Sequence, residues 1–259
     1  MREELDFRQS CILLTCVFFV LGILGAIPYF WLNAFNDSSI IDRFVNSFFE
    51  SVSGFTTTGF SLITDPDALP RSLMFYRSFT HLIGGLGVVF ILLAFFYSGK
   101  TLDNMSRVMN FMRVTDSIKK SLVSILVVYT VYVIIFSAVI YFLGLTGIAN
   151  TISIVLSALM TGGFSPIGDF SPYVAFPAVL FVIVMMIFGA TSFFIHYRIV
   201  HRKFRSAFTK EFLMFILISA IGVLAVEAVY PLDILSTVFH ILSASTGHRF
   251  FHHKFQLDP

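Results

Sequence analysis

The sequence predicts an all-α integral membrane protein built from repeated units of span, short half-helix, loop and span. Composition is the first reason: the 259-residue chain is 57% hydrophobic and 12% charged, whereas a soluble domain carries about 25% charged residues. The second reason is that apolar segments long enough to cross a bilayer alternate with segments too short to do so. The third is a pattern of Thr and Gly that occurs twice, each time directly after a short segment.

Four regions are predicted along the chain. They are a first span–pore-loop–span repeat over residues 1–98, a cytoplasmic basic loop over 99–119, a second repeat over 120–200 and a partial third repeat over 201–259. In the first repeat, the span, half-helix, loop and second span cover about residues 9–32, 38–53, 56–61 and 73–97. Ser38 or Ser39 is the expected N-cap of the half-helix. A helix of this length should enter a hydrocarbon core of about 30 Å and stop half-way.

The second repeat has the same order of elements. Its span, half-helix and loop cover about residues 122–143, 150–160 and 161–164, and Pro172 and Pro177 precede a span that ends near His196. The third repeat begins with a span over about residues 212–229 and a short segment over about 234–245.

The distribution of positive charge along the chain predicts how the protein is oriented in the membrane. Ten of the 17 Lys and Arg residues fall in two segments, over residues 100–120 and 198–210. Cytoplasmic loops of membrane proteins carry the excess of Lys and Arg, so both segments should face the cytoplasm. The loops that hold the Thr/Gly patterns carry Asp65, Asp67 and Asp169 and should open to the outer face. We therefore expect a multi-pass protein of the cell membrane, embedded in lipid and without a nucleic-acid partner.

The Thr/Gly pattern reads Ser-Gly-Phe-Thr-Thr-Thr-Gly-Phe-Ser over residues 53–61 and Ser-Ala-Leu-Met-Thr-Gly-Gly-Phe-Ser over residues 157–165. A shift of 104 positions superimposes Ser53, Thr57, Gly59, Phe60 and Ser61 on Ser157, Thr161, Gly163, Phe164 and Ser165. Small polar residues at membrane depth are tolerated where irregular backbone lines a cavity or an ion path. Tight helix packing through small residues is the alternative, but each pattern follows a segment too short to span.

Such a loop can carry cation chemistry. Backbone carbonyls replace the water shell of an alkali cation without adding net negative charge, and Gly tolerates the unusual backbone angles that this requires. Each half-helix also directs its partly negative C-terminal end at the loop, which favours a cation. The predicted ion-binding residues are Thr57, Thr58, Gly59, Thr161, Gly162 and Gly163. We expect no cofactor and no metal site besides the transported ion. Nearby, Glu50 either stabilises the cation path or pairs with Arg77, and a structural ion pair is the preferred interpretation.

Three segments resemble a known family. Residues 49–60 (Phe-Glu-Ser-Val-Ser-Gly-Phe-Thr-Thr-Thr-Gly-Phe) resemble the first pore helix and filter of the Trk/Ktr/HKT superfamily of potassium and sodium translocating subunits. Residues 77–87 (Arg-Ser-Phe-Thr-His-Leu-Ile-Gly-Gly-Leu-Gly) are similar to its following segment, and residues 161–165 (Thr-Gly-Gly-Phe-Ser) to its second filter.

The resemblance implies four repeats around a central pore, with selectivity resting on one Gly per filter, here Gly59 and Gly163. It also implies uptake of potassium, or of sodium, through a channel-like pore. A homodimer and a cytoplasmic nucleotide-binding regulatory subunit are the implied partners.

The third repeat departs from the family pattern. Where the family reads a sequence such as Ser-Thr-Gly-Thr-Gly-Phe, residues 245–250 read Ser-Thr-Gly-His-Arg-Phe. A guanidinium at this position would repel a cation, so Thr246, Gly247 and Arg249 either form an aberrant third filter or belong to a segment that lies elsewhere. The sequence also contains no fourth repeat, and we expect an incomplete chain. The alternative function is a non-conducting remnant or scaffold fragment of such a transporter. We do not expect an enzyme, because the spans contain no paired catalytic carboxylates.

Overall fold

The computed structural model describes residues 7–96, 118–144, 146–167, 176–200, 209–230, 234–248 and 250. These residues form nine α-helices and one 3-10 turn (Pro66–Ala68), and no β-strand occurs among them. The helices are α1 (Phe7–Trp31), α2 (Ile40–Phe55), α3 (Arg71–Phe96), α4 (Ile118–Phe142), α5 (Ile148–Leu159), α6 (Phe176–Ala190), α7 (Phe193–Val200), α8 (Lys210–Val229) and α9 (Ile234–Thr246).

The long helices have the length and composition of membrane spans. Within the described residues, three stretches qualify: Cys11–Trp31, Val123–Phe142 and Lys210–Val229, with mean hydropathies of 2.6, 2.6 and 2.5. Helix α3 has 26 residues, which corresponds to about 39 Å. A helix satisfies all of its own backbone hydrogen bonds, which lipid cannot do. The all-α membrane class predicted from composition is therefore confirmed.

Helices α2, α5 and α9 are short. They have 16, 12 and 13 residues, or about 18–24 Å, which is less than the hydrocarbon thickness of about 30 Å. Each packs against the long helix before it and the helix that follows the next loop where that helix is described. Helix α5 lies at the centre: most of its residues are buried, and it also packs against α3.

The burial pattern of α2 is the reverse of that in a soluble protein. Its inward face is polar or small, with Ser47, Glu50 and Ser51 fully buried, while Phe44 and Val45 are exposed. Small residues let neighbouring helices approach closely, and apolar side chains can face lipid at no cost. This inward polar face places a carboxylate beside the loop that follows α2.

One predicted element differs in the structure. The span expected to end near His196 is interrupted after Ala190, and α7 begins at Phe193. At the break, the carbonyl oxygen of Phe188 accepts from the backbone N–H and the hydroxyl of Thr191, at 3.2 and 2.8 Å. The ring of His196 also lies 3.0 Å from this oxygen. Side chains therefore satisfy the backbone group that the interruption leaves free, which hydropathy could not reveal.

A second difference concerns the start of α2. Ser39 is its N-cap by position and has an extended backbone, but its side chain makes no capping hydrogen bond. Cys11 and Cys16 are exposed and unpaired.

Candidate functional site

Helices α2, α5 and α9 end in the same backbone motif. In each, two N–H groups beyond the helix bond to carbonyls in its last turn, as in a Schellman motif. The outer bonds run from Thr58 to Ser53, from Gly162 to Ser157 and from His248 to Ser243, at 3.0, 2.8 and 2.9 Å. The inner bonds run from Thr57 to Gly54, from Thr161 to Ala158 and from Gly247 to Ala244, at 3.0, 3.4 and 3.4 Å. The 104-residue shift between the first two repeats therefore superimposes their backbone hydrogen bonds as well as their residue identities.

The turning residue of each motif has a left-handed backbone. The φ angles of Thr57, Thr161 and Gly247 are 53°, 52° and 78°. A β-branched residue rarely adopts such an angle, and the strain costs about 1–3 kcal/mol and often marks a functional site. Gly247 adopts the same conformation without that cost.

Two loops leave these motifs along matching paths. Loop 1 comprises residues 56–61 and loop 2 residues 160–165. Gly59 and Gly163 have φ angles of 72° and 101°. Two residues later, the hydroxyls of Ser61 and Ser165 accept the N–H of Ile63 and Ile167 at 3.1 and 3.0 Å. The two predicted filter segments therefore share one backbone course.

The loops converge on each other. A methyl group placed on Gly59 would lie 1.9 Å from the carbonyl oxygen of Gly162, and one placed on Gly162 would lie 2.0 Å from Nδ1 of His81. Gly247 approaches loop 2 as well, since its methyl position lies 3.9 Å from the carbonyl oxygen of Thr161. Loops 1 and 2 are thus in backbone contact, and neither Gly59 nor Gly162 has room for a side chain.

A cavity of about 670 Å³ opens beside this contact. Its lining includes Gly59, Ser61, Gly163, Ser165 and Phe250. The segments that follow α2 and α5 line it together with Ser243 and Ala244 near the end of α9, and the C-terminal end of a helix carries a partly negative potential. Backbone carbonyls and hydroxyls in such surroundings can ligate a cation that has lost its water shell.

A buried ion pair lies beside loop 1, and its arginine, Arg77, also lines the cavity. Nη2 and Nε of Arg77 lie 2.8 and 3.2 Å from Oε1 of Glu50, and both side chains are almost fully buried. The hydroxyl of Ser61 donates to the same Oε1 at 2.8 Å, and the N–H of Leu62 donates to Oε2 at 3.0 Å. The guanidinium also lies 4.4 Å above the ring of Phe164. The predicted structural ion pair is confirmed, and it reaches both loops.

His81 and Ser157 support loop 2. The hydroxyl of Ser157 accepts the N–H of Gly163 at 3.1 Å and lies 3.2 Å from Nδ1 of His81. The His81 ring packs against Phe164 with centroids 4.4 Å apart. Sequence reasoning did not assign Ser157 a role, although its recurrence as Ser53 in the other pattern was a usable signal.

The predicted third filter is only partly described. Thr246 is the last residue of α9 and Gly247 occupies the turning position, while Arg249 lies outside the described residues. The ring of His248 contacts the hydroxyl of Thr246 and the carbonyl oxygen of Ala158. The hydroxyl of Ser243 donates to the carbonyl of Phe250 at 3.1 Å. These contacts attach the third loop to α5 and α9.

The glycines of α3 have different surroundings. A methyl group on Gly84 would lie 2.0 Å from the carbonyl oxygen of Phe55, at the end of α2, whereas one on Gly87 would have no atom of the described residues within 4 Å. Gly189 of α6 approaches the end of α5 in the same way, at 2.2 Å from the carbonyl of Ala158. Gly84 and Gly189 therefore let the following helix pack against the end of the half-helix.

The fold and the site define a multi-pass membrane protein in which two half-helices lead into matching glycine loops that contact each other. Residues 4–250 match the TrkH family of cation transport proteins, and the chain belongs to that family. The family is one of transporters rather than enzymes.

Individual relatives agree with this assignment. An uncharacterized cation transporter of Methanocaldococcus jannaschii is 25% identical over 249 residues, covering 95% of this chain and 50% of that protein. The Trk system potassium uptake protein TrkG of Escherichia coli is 36% identical over 91 residues, covering 35% of this chain and 18% of TrkG. This chain spans about half the length of the archaeal relative.

A solved structure shares the fold. The crystal structure of the potassium transporter TrkH from Vibrio parahaemolyticus aligns with a TM-score of 0.80 at 24% identity. The alignment covers all of this chain and 55% of the TrkH chain.

Proposed function

We propose that this chain forms part of a potassium uptake pathway across the cell membrane. In this proposal Thr57, Thr58 and Gly59 of loop 1 and Thr161, Gly162 and Gly163 of loop 2 ligate the ion through backbone carbonyls. The observation that carries the proposal is the contact of the two glycine loops at the C-terminal ends of α2 and α5. Names of relatives support potassium as the ion, since two of them are potassium transporters.

The ion would move through a channel-like pore down its electrochemical gradient. Each repeat would supply one quadrant of the filter, with Gly247 of the third repeat at the turning position that Thr57 and Thr161 occupy in the others. Loops 1 and 2 would open to the outside, since the basic segments lie at the opposite ends of the spans. The family resemblance adds a homodimer and a cytoplasmic nucleotide-binding regulatory subunit to the proposal.

Uptake by a variant of Gly59 tests the assignment. The complete reading frame that contains this chain is expressed in cells that lack potassium uptake, and growth at low potassium and rubidium uptake are measured. We expect Gly59→Ala to abolish uptake, because the new methyl group would meet the Gly162 carbonyl at 1.9 Å and because φ is 72°. The matched control is Gly147→Ala, where φ is −65° and none of the residues that the structure describes lies within 4 Å of the methyl position.

Three outcomes are informative. Uptake by the unchanged protein and by Gly147→Ala, but not by Gly59→Ala, supports the filter. Equal uptake by both variants contradicts it. Absence of uptake by the unchanged protein, at normal membrane abundance, supports the non-conducting alternative instead.

A further inference from the structure

We propose that Arg77 is a positioning residue that holds loops 1 and 2 in register and thereby sets the discrimination between potassium and sodium. This inference rests on the proposed function, because it assigns a task within the same cavity. Its basis is that one buried guanidinium contacts the segments directly after both filter glycines, Gly59 and Gly163.

The contacts to loop 1 are charge-assisted hydrogen bonds. Nη2 of Arg77 donates to the hydroxyl of Ser61 at 2.8 Å and to Oε1 of Glu50 at 2.8 Å. Glu50 in turn accepts from Ser61 and from the N–H of Leu62. Hydrogen bonds with ionised partners are the shorter and stronger kind. Residues 61 and 62, two and three positions beyond Gly59, are therefore fixed relative to both α2 and α3.

The contact to loop 2 uses the other face of the group. The guanidinium carbon lies 4.4 Å from the centroid of Phe164, within the range of a cation–π interaction. Phe164 follows Gly163 directly and is 1% exposed. One helical turn further along α3, His81 packs on the same ring and approaches Ser157, which accepts the N–H of Gly163. A displacement of Arg77 would thus move both loops.

Among the described residues, the second repeat has no counterpart of this ion pair. A shift of 104 positions from Glu50 leads to Ile154, which is fully buried in α5. The helix that follows loop 2, α6, contains no charged residue. Apolar residues thus occupy the space between half-helix and following helix in the second repeat, where the first repeat has the ion pair. Buried ion pairs can often be exchanged for apolar residues of similar volume without loss of stability, which favours a role for Arg77 in placing the loops.

Register between the loops determines the sizes of the spaces between their carbonyls. Potassium and sodium carry the same charge, so a cage of carbonyls separates them through its dimensions and through the number and field strength of its oxygens. A shift of loop 2 against loop 1 changes both quantities without removing a single carbonyl. The discrimination between potassium and sodium should therefore be more sensitive to replacement of Arg77 than folding of the protein is.

Two variants test the inference in the complete reading frame. E50I/R77M removes both charges together, so that no buried charge is left unpaired, and gives residue 50 the identity of Ile154. R77K keeps the positive charge but lacks the planar fork that bridges Glu50, Ser61 and Phe164. The first readout is the ratio of rubidium uptake to sodium uptake in cells. The second is measured on the protein in detergent: how much more potassium raises the melting temperature than sodium does. The second readout reports binding through ligand linkage and needs no transport.

We expect each variant to lower the ratio of rubidium to sodium uptake by about tenfold or more, which is the size of effect that misplacement of a site group produces. We also expect each variant to lose the potassium-specific rise in melting temperature. The control is R43M. Arg43 also stacks on an aromatic ring, Phe30, at 4.8 Å, and binds the Phe30 and Trp31 carbonyls at the other end of α2, so the uptake ratio should stay unchanged.

The outcomes separate this inference from the proposed function. If the unchanged protein is selective and either variant that enters the membrane retains its ratio, the role of Arg77 is overturned while the filter stands. If the unchanged protein shows neither uptake nor potassium-specific stabilisation, both proposals fail. If E50I/R77M does not reach the membrane, the uptake ratio of R77K alone tests the role of Arg77.

Discussion

The residues of the two loops are constrained mainly by contacts of the backbone. Thr57 and Thr161 accept left-handed angles, and Gly59 and Gly163 provide the turns two residues later. In the third repeat the turning residue is Gly247, so the same motif forms with and without a β-branched side chain. This backbone motif therefore depends on how the helix ends and does not require the Thr side chain.

Gly162 provides a residue-scale prediction. We expect Gly162→Ala to destabilise the protein by about 1–3 kcal/mol, the usual cost of overpacking, because the methyl group would lie 2.0 Å from Nδ1 and 2.3 Å from Cγ of His81. The His81 ring is fully buried and cannot swing into solvent. The measurement is the melting temperature of the detergent-solubilised protein.

The control for this prediction is Gly85→Ala. Its methyl group would meet the sulfur of Met160 at 3.0 Å, and a flexible thioether can move aside. A larger destabilisation by Gly85→Ala than by Gly162→Ala would contradict the tight fit of His81 against loop 2.

At the scale of elements, a glycine on the following helix closely approaches the end of each of the half-helices α2 and α5. Gly84 of α3 and Gly189 of α6 lie against the ends of α2 and α5. We expect Gly84→Ala to destabilise the protein by about 1–3 kcal/mol, since the Phe55 carbonyl at 2.0 Å belongs to the backbone and cannot move aside.

Gly87→Ala, one turn away on the same helix, is the matched control, because no atom in the described part of the chain lies within 4 Å of its methyl position. Both variants change the helix propensity of α3 in the same direction. Equal thermal shifts in the two proteins would therefore show that the contact between Gly84 and Phe55 does not hold α2.

Sequence patterns were sufficient for most elements and for part of the site. Hydropathy and length predict α1 to α5, α8 and α9 to within a few residues, because lipid demands continuous helices. The break between α6 and α7 was not predictable, since it depends on contacts of Thr191 and His196 with a single carbonyl. The pairing of Glu50 with Arg77 could be anticipated from two opposite charges in an apolar chain.

At the scale of the whole molecule, the site arises from contacts between repeats. Helix α3 packs against α5, and α6 packs against α9, so the half-helices of the second and third repeats are also held by the preceding repeat. The contact of Gly59 with Gly162 joins positions that lie 103 residues apart in the chain. A repeat in the sequence predicts that two loops are alike, but their distance from each other depends on packing between the repeats. This is why the likeness of the two loops could be recognised in the sequence, whereas the contacts of Arg77 with both of them could not.

The orientation of the molecule gives the last prediction. If the basic segments are cytoplasmic, the turn after loop 1 lies outside, where Asp67 is exposed. In a background with Cys11 and Cys16 replaced by alanine, we expect Asp67→Cys to react with a membrane-impermeant maleimide on intact cells. Ser106→Cys, within the first basic segment, serves as the opposite marker and should react only after the membrane is permeabilised. Protection of Asp67→Cys together with labelling of Ser106→Cys would invert the topology, and the loops would then open toward the cytoplasm.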